Sequence, residues 1–275
     1  MSAKFEKILD KAIYEFDHAM IISLIADKKK SWSAAQIASV IQVSITFYPN
    51  SKHSFEIIRA FLVNGLKLVS TIVQYIAMST NSFLKEEKNK WSYEKTKIIK
   101  MLLEFGYSAS KCSEIDDTPP IFHAASSGTI EMCQDLITFG ADFNQLLGSE
   151  TILMHAICSM KPEIVAFFIE KGIRVNALNK NGETVLNILA IQNYDSSWFE
   201  IFKLLVNEMN VDEIKSAITH EGPYGNFEEQ IRFGSCAIDA EAEFREKGYL
   251  WFEICKYLKK QHFLNIRVKI SDTDH

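Results

Sequence analysis

The sequence of 275 residues predicts an all-α solenoid, in which helix-turn-helix repeats stack with short hairpin fingers between them and degenerate caps at both ends. The first observation is a pattern of a charged residue, an apolar run and a turn residue nine positions later. It occurs six times, starting at Glu56, Lys97, Glu131, Glu163, Glu200 and Glu253. The second observation is spacing, because the six turn positions are separated by 41, 34, 32, 37 and 53 residues. A unit that recurs every ~20 to 50 residues is typical of stacked repeat proteins.

The predicted elements fill one elongated domain over residues 1–275. Residues 8–13 and 19–26 predict two short helices of a degenerate first repeat, and the charged residues around them suit a polar cap. Residues 33–42 then predict an inner helix, and residues 55–65 predict its outer partner. We expect a cap over residues 1–32, repeats over 33–212, and a divergent last repeat with its cap over 213–275.

Local signals at the helix ends agree with this division. Thr118, Thr151 and Thr184 stand where a helix N-cap is expected, because a hydroxyl there accepts a hydrogen bond from the first turn. A glycine follows three of the apolar helices, where a left-handed C-terminal cap favours it; these residues are Gly106, Gly140 and Gly172. Asn181-Gly182 predicts a tight hairpin turn with positive φ.

Several of these segments resemble the ankyrin-repeat family. Residues 118–128 resemble its inner-helix opening, Thr-Pro-Leu-His-x-Ala-Ala-x-x-Gly, with Pro119 in the position of the threonine. Residues 140–144, Gly-Ala-Asp-Phe-Asn, look like the end of such a repeat. Residues 151–156 and 181–186 carry two further openings in register. The resemblance is clear over residues 97–212 and implies stacked helix pairs with an interaction surface on the concave face and fingers.

Three segments depart from the family pattern. Residues 78–93 are expected to be an insertion between two helices, and residues 192–197 a shorter one. Residues 212–249 precede the last predicted outer helix and are too long for a simple finger.

The net charge of −5 is unevenly distributed. Residues 1–111 carry 16 Lys and Arg against 10 Asp and Glu, whereas residues 112–246 carry 8 against 22. An acidic middle repels phosphate, so nucleic acid is not an expected partner. It would favour a partner protein with a basic surface. The alternative is a solvated acidic face that serves solubility.

The sequence contains no predicted signal peptide, and its longest apolar run, residues 68–78, is too short to span a bilayer. Five cysteines without a CxxC pair are most simply reduced residues of a cytoplasmic protein; Cys133, Cys158 and Cys255 are predicted on helices. The seven histidines show no metal-ligand spacing, so we expect no metal or cofactor. We expect a monomer.

Two groups of residues are candidates for partner binding. Tyr75, His123 and His155 occupy one column of the repeat, one place after the family's histidine position, which in the family tends towards the concave face. The alternative is that each is a satisfied inner-helix residue. Leu146 and Leu147 lie in a finger where the family usually has polar residues, which suggests a contact patch. Here the alternative is packing against the adjacent finger, at Leu178.

The predicted function is protein-protein recognition, with no catalysis, since no phosphate loop, dinucleotide fingerprint or hydrolase motif is present. The resemblance also implies a possible role as an effector that an intracellular bacterium delivers into a host cell. The alternative from another class is an enzyme or toxin whose chemistry lies in residues 212–249, with the repeats selecting its substrate. Against it, 38 residues are few for an independent catalytic domain.

Overall fold

A computed structural model describes residues 3–46, 51–79, 88–192, 196–221, 225–233 and 252–260. Within these ranges the fold is all-α, as predicted, and an isolated bridge joins Leu147 and Glu150. Contacts within the chain group it into two compact units, residues 1–143 and 144–275. The organisation as one elongated domain stays a prediction.

The first unit is built from antiparallel helix pairs. Helices α2, α4, α6 and α8 form one row, in which each packs against the next, and α5 packs against α7 beside this row. The helices are α1 (Ala3–Tyr14), α2 (His18–Ala26), α3 (Ala34–Thr46), α4 (Ser51–Val63), α5 (Ile72–Met78), α6 (Lys88–Glu104), α7 (Pro120–Ser127) and α8 (Ile130–Thr138). The predicted pairing of residues 33–42 with residues 55–65 corresponds to α3 and α4.

Aromatic contacts hold the beginning of this unit together. The Trp32 ring meets Phe5 of α1 and Phe61 of α4 edge to face, with centroids 5.5 Å and 5.2 Å apart. Such edge-to-face pairs add roughly 0.5 to 1.5 kcal/mol each beyond the burial of their area. The predicted degenerate repeat is therefore packed onto the first regular pair of helices.

A buried lysine satisfies the end of α5. Lys95 of α6 is 3% exposed, and its Nζ donates to the carbonyls of Ala77 and Ser79 at 3.0 Å and 3.3 Å. The indole of Trp91 donates to the same Ser79 carbonyl at 3.3 Å. A cation at a helix C-terminus opposes the helix dipole and bonds carbonyls that lack partners within the helix. Since α6 begins at Lys88, its first turns lie inside residues 78–93, where we expected an insertion.

The second unit repeats the paired arrangement. Helices α9, α11 and α14 pack in one row, and α10 packs against α12 in the other. The helices are α9 (Ile152–Cys158), α10 (Pro162–Glu170), α11 (Val185–Ala190), α12 (Ser196–Asn207), α13 (Val211–Thr219), α14 (Phe227–Phe233) and α15, residues 252–260. Tyr257 of α15 contacts α12, where its hydroxyl donates to Asn207 at 3.0 Å. Helix α14 thus packs on α11 and α13, and α15 contacts α12.

Residues 212–249 were expected to be the least repeat-like segment, and their described part is helical. Phe227 of α14 is fully buried and stacks on Trp198 and Phe202 of α12, with ring planes 12° and 4° apart. Gln230 of α14 accepts a hydrogen bond from the buried Asn187 of α11 at 3.3 Å. The segment therefore supplies a core helix to the last repeat. Residues 234–249 lie outside the described residues.

The three threonines predicted as helix N-caps differ in how well the structure agrees with the prediction. Thr184 caps α11 in a reciprocal capping box with Asn187, as predicted. Thr151 occupies the N-cap of α9 but makes no capping hydrogen bond. The assignment of Thr118 was wrong, because α7 begins at Pro120 and its N-cap is Pro119, whose side chain has no oxygen to accept a capping hydrogen bond. Proline is preorganised for the first helical position, so α7 needs no hydroxyl there.

The predicted glycine caps are confirmed. Gly106, Gly140 and Gly172 have φ of 86°, 94° and 82°. A Cβ built at any of the three would meet no atom within 4 Å, so it is the backbone conformation that requires glycine there.

Candidate partner-binding surface

The finger before α9 is a tight hairpin. The backbone groups of Leu147 and Glu150 exchange two hydrogen bonds, at 3.1 Å and 3.0 Å, around Gly148, whose φ is 63°. Gly148 and Ser149 form the tip, and Leu146 and Leu147 directly precede it. Leu146 is 57% exposed, and Leu147 is partly exposed.

A histidine on α9 ties this hairpin to the helix that follows. His155 Nε2 lies 2.9 Å from Glu150 Oε2. Burial lowers the pKa of His155 below its usual value of 6.5, although the Glu150 carboxylate acts in the opposite direction. A neutral imidazole that donates from Nε2 is consistent with this geometry. His155 is therefore a mostly buried inner-helix residue beside Glu150 that also remains partly accessible.

The next finger, before α11, is shaped by a buried asparagine. Asn179 Oδ1 accepts from the backbone N–H groups of Asn181 and Glu183, both at 2.9 Å, and its Nδ2 donates to Glu183 Oε2 at 2.8 Å. Gly182 has a φ of 75°, as predicted for the turn. The two fingers are joined, because the Lys180 N–H donates to Ser149 Oγ.

Leu178 precedes that asparagine and is 49% exposed. Together with Leu146, it gives each of the two joined fingers an aliphatic side chain with about half of its surface in solvent. Both leucines thus keep a substantial accessible surface, and the alternative that Leu146 and Leu147 pack against Leu178 stays open. Single exposed leucines are ordinary, but two on joined fingers form a feature that a partner could cover.

Tyr75 and His123 lie in the first unit, on the packed helices α5 and α7. Burial raises the pKa of Tyr75, which is hydrogen-bonded to Thr46. His123 Nε2 lies 3.5 Å from Asp116 Oδ2 in the preceding finger. Hydrogen bonds from Thr118 hold the pKa of Asp116 below its usual range, with a smaller contribution from His123. Each side chain thus has a structural partner, and the strip with His155 as one surface stays a prediction.

The finger before α7 also carries an exposed aliphatic residue, which sequence reasoning missed. Ile115 is 100% exposed. Leu146 and Leu178 each follow the closing glycine of a repeat by six positions, whereas Ile115 follows Gly106 by nine. The missed signal was one apolar residue in each of three successive fingers.

A family model for ankyrin repeats, in three copies, matches residues 91–179 and again residues 121–217. The chain is also 31% identical, over 153 residues, to a Rickettsia felis protein described as an ankyrin repeat protein. That match covers 53% of this chain and 61% of the relative, so the chain spans less than two thirds of the relative's length.

Residues 91–217 of the chain are ankyrin repeats. The family match covers the helix pairs from α6 to α12 and all three fingers with exposed aliphatic residues. Ankyrin repeats indicate a protein-protein interaction module and are generally non-enzymatic.

Two further predictions from the sequence concern membrane-spanning helices and cysteines. None of the helices among the described residues is both long and apolar enough to cross a membrane. Of the cysteines predicted to be in the core, Cys133 and Cys255 are buried, but Cys158 is exposed at the end of α9.

Proposed function

We propose that this ankyrin-repeat protein binds a partner protein through its fingers, with exposed aliphatic residues as the main apolar contacts: Leu146 and Leu178 on the joined fingers of the second unit, and separately Ile115 in the first unit. The observations that carry this proposal are the exposure of these side chains and the equal position of Leu146 and Leu178, each six residues after the closing glycine of a repeat. Residues exposed to solvent contribute little to the folded state, so burial against a partner is where their apolar surface would gain free energy. The other candidate contact residues are Tyr75, His123, His155 and Leu147.

The hydrogen bonds within the fingers support this role. Interfaces gain affinity when their contact residues are already held in place, because less conformational freedom is lost on binding. In the second unit, the contacts between Leu147 and Glu150 and those of Asn179 fix the backbone next to both leucines. The partner is expected to present an apolar groove, with basic residues facing the acidic middle of the chain.

The test compares partner capture by the wild-type protein and by the variant with Ile115→Ser, Leu146→Ser and Leu178→Ser. A quantitative pull-down with mass spectrometry should show partners that the wild type enriches and the variant loses. The matched control removes three exposed apolar side chains away from the fingers, by Tyr14→Ser, Val63→Ser and Met20→Ser. Equal capture by wild type and finger variant, or equal losses in finger variant and control, would reject the fingers as the binding surface.

We also infer that the protein acts as a monomer in a cytoplasm, as a bacterial effector delivered into a host cell. The support is the similarity to a protein of Rickettsia felis, an intracellular bacterium. Light scattering would test the monomer, and a translocation reporter fused to the chain in its native organism would test delivery.

A further inference from the structure

Two histidines and a glutamate meet between α2 and α4 of the first unit. His18 begins α2, while His53 and Glu56 lie three residues apart and so share one face of α4. The two imidazole rings stack with centroids 3.6 Å apart and planes 11° apart. His18 Nε2 lies 4.0 Å from Glu56 Oε2, and one ligand atom from each of the three side chains lies within 4.8 Å of the others.

The chemistry of this group matches a known type of metal site. Two imidazoles and one carboxylate form a common three-ligand set for Zn²⁺, with a fourth position left for water. The three side chains are partly exposed, with His18 34% and Glu56 36% accessible, so an ion can reach them.

We propose that His18, His53 and Glu56 bind a divalent transition metal ion, for which Zn²⁺ is the best match. This site is independent of the fingers proposed to bind a partner. The lone pairs of an imidazole lie in the plane of its ring, and the two stacked rings occupy separate parallel planes. One ion can therefore be shared only if a ring rotates, and His18, at the exposed start of its helix, is the residue expected to move.

The positive charge of Lys52 disfavours metal binding at this site. Its Nζ lies 3.8 Å from Glu56 Oε1 and is well exposed. Its positive charge competes with a cation for the same carboxylate and repels an ion nearby. Removal of this charge should therefore strengthen metal binding, whereas loss of any ligand should weaken it.

The experiment is a titration of the full reduced chain with Co²⁺, at about pH 7.5, followed by visible absorption and by displacement with Zn²⁺. We expect a d–d band that saturates at one equivalent and weakens at about pH 5.5, where protons compete for the imidazoles. His18→Gln, His53→Gln and Glu56→Gln should each lower the affinity by roughly tenfold or more, given that even residues around metal ligands change it 10–100-fold. Lys52→Ala should raise the affinity.

His220→Gln is the matched control, since this partly exposed histidine lies in the second unit. It should leave the titration unchanged. Circular dichroism establishes that each variant is folded, and if His53→Gln is not, His18→Gln and Glu56→Gln decide the question. An absent d–d band, a band that survives these changes, or an intense near-ultraviolet band from thiolate ligation would overturn the proposal.

Discussion

At the scale of single residues, His155 joins a finger to a helix while it is partly removed from water. Its pKa lies below 6.5 because burial disfavours the imidazolium, and Glu150 only partly offsets this effect. Below about pH 6.5, this histidine therefore binds a proton more readily in the unfolded chain than in the folded protein. The stability that this histidine contributes is therefore present above about pH 6.5 and is lost as the pH falls below that value.

His155→Gln should reduce this pH dependence. A glutamine amide can still donate to Glu150 but does not titrate. We expect the urea midpoint of the wild type to fall more between about pH 7.5 and pH 5.5 than that of the variant. The measurement is urea denaturation followed by far-ultraviolet circular dichroism at both pH values. Equal shifts in both proteins would show that His155 does not resist protonation.

Gly140→Val and Gly172→Val should each destabilise the fold by roughly 1 kcal/mol or more, because a β-branched residue is penalised at positive φ. The space around both positions is open, so the cost is one of backbone conformation. Asparagine tolerates the left-handed region, and Gly140→Asn and Gly172→Asn should cost less. Thermal melts measure the series, and the same loss for valine and asparagine would contradict this explanation.

At the scale of secondary-structure elements, α5 and α6 depend on one buried cation. Lys95→Met keeps much of the side-chain volume but removes the donor to the carbonyls of Ala77 and Ser79. Loss of a partner for buried polar groups costs about 1 to 3 kcal/mol. The change should appear in the free energy of unfolding measured with urea.

Lys97→Met is the control on the same helix. Lys97 lies 3.2 Å from Glu94 in an exposed ion pair, which is worth at most about 1 kcal/mol. If both methionine variants lose the same stability, the carbonyl contacts of Lys95 are not what holds the end of α5.

Individual helices show which parts of the fold could be predicted from the sequence and which could not. Helices α8 and α10 begin at Ile130 and Pro162, one residue before the predicted pattern starts at Glu131 and Glu163, because their signals are local: a charged residue, an apolar run and a closing glycine. Residues 228 and 229 were expected on a charged helix, and α14 includes them, but the acidic residues around Phe227 concealed its burial against α12. The pair His18 and His53 was missed because the two residues are 35 positions apart and meet only through the packing of α2 on α4. Ile115 was missed because exposure in a finger leaves no apolar periodicity.

At the scale of the whole molecule, residues 112–246 carry a net charge of −14, from 8 basic and 22 acidic residues. If these carboxylates steer a basic partner, the association rate should fall as salt is added, because the Debye length shrinks to about 3 Å at 1 M. The measurement is the association rate constant against ionic strength for the partner that the pull-down identifies. A flat profile would mean that the charge serves solubility.

A buried amide on α5 orders the finger before α7. Gln74 of α5 is 2% exposed, and its Nε2 donates to the carbonyls of Asp116 and Thr118 at 2.7 Å and 3.0 Å, while its Oε1 accepts from the Ser113 N–H at 2.8 Å. One helix residue thus holds both ends of the loop that presents Ile115. Because this loop is ordered before any encounter, association there should carry a small entropic penalty in calorimetry. That advantage would be lost in a chain whose loop is free to sample other conformations.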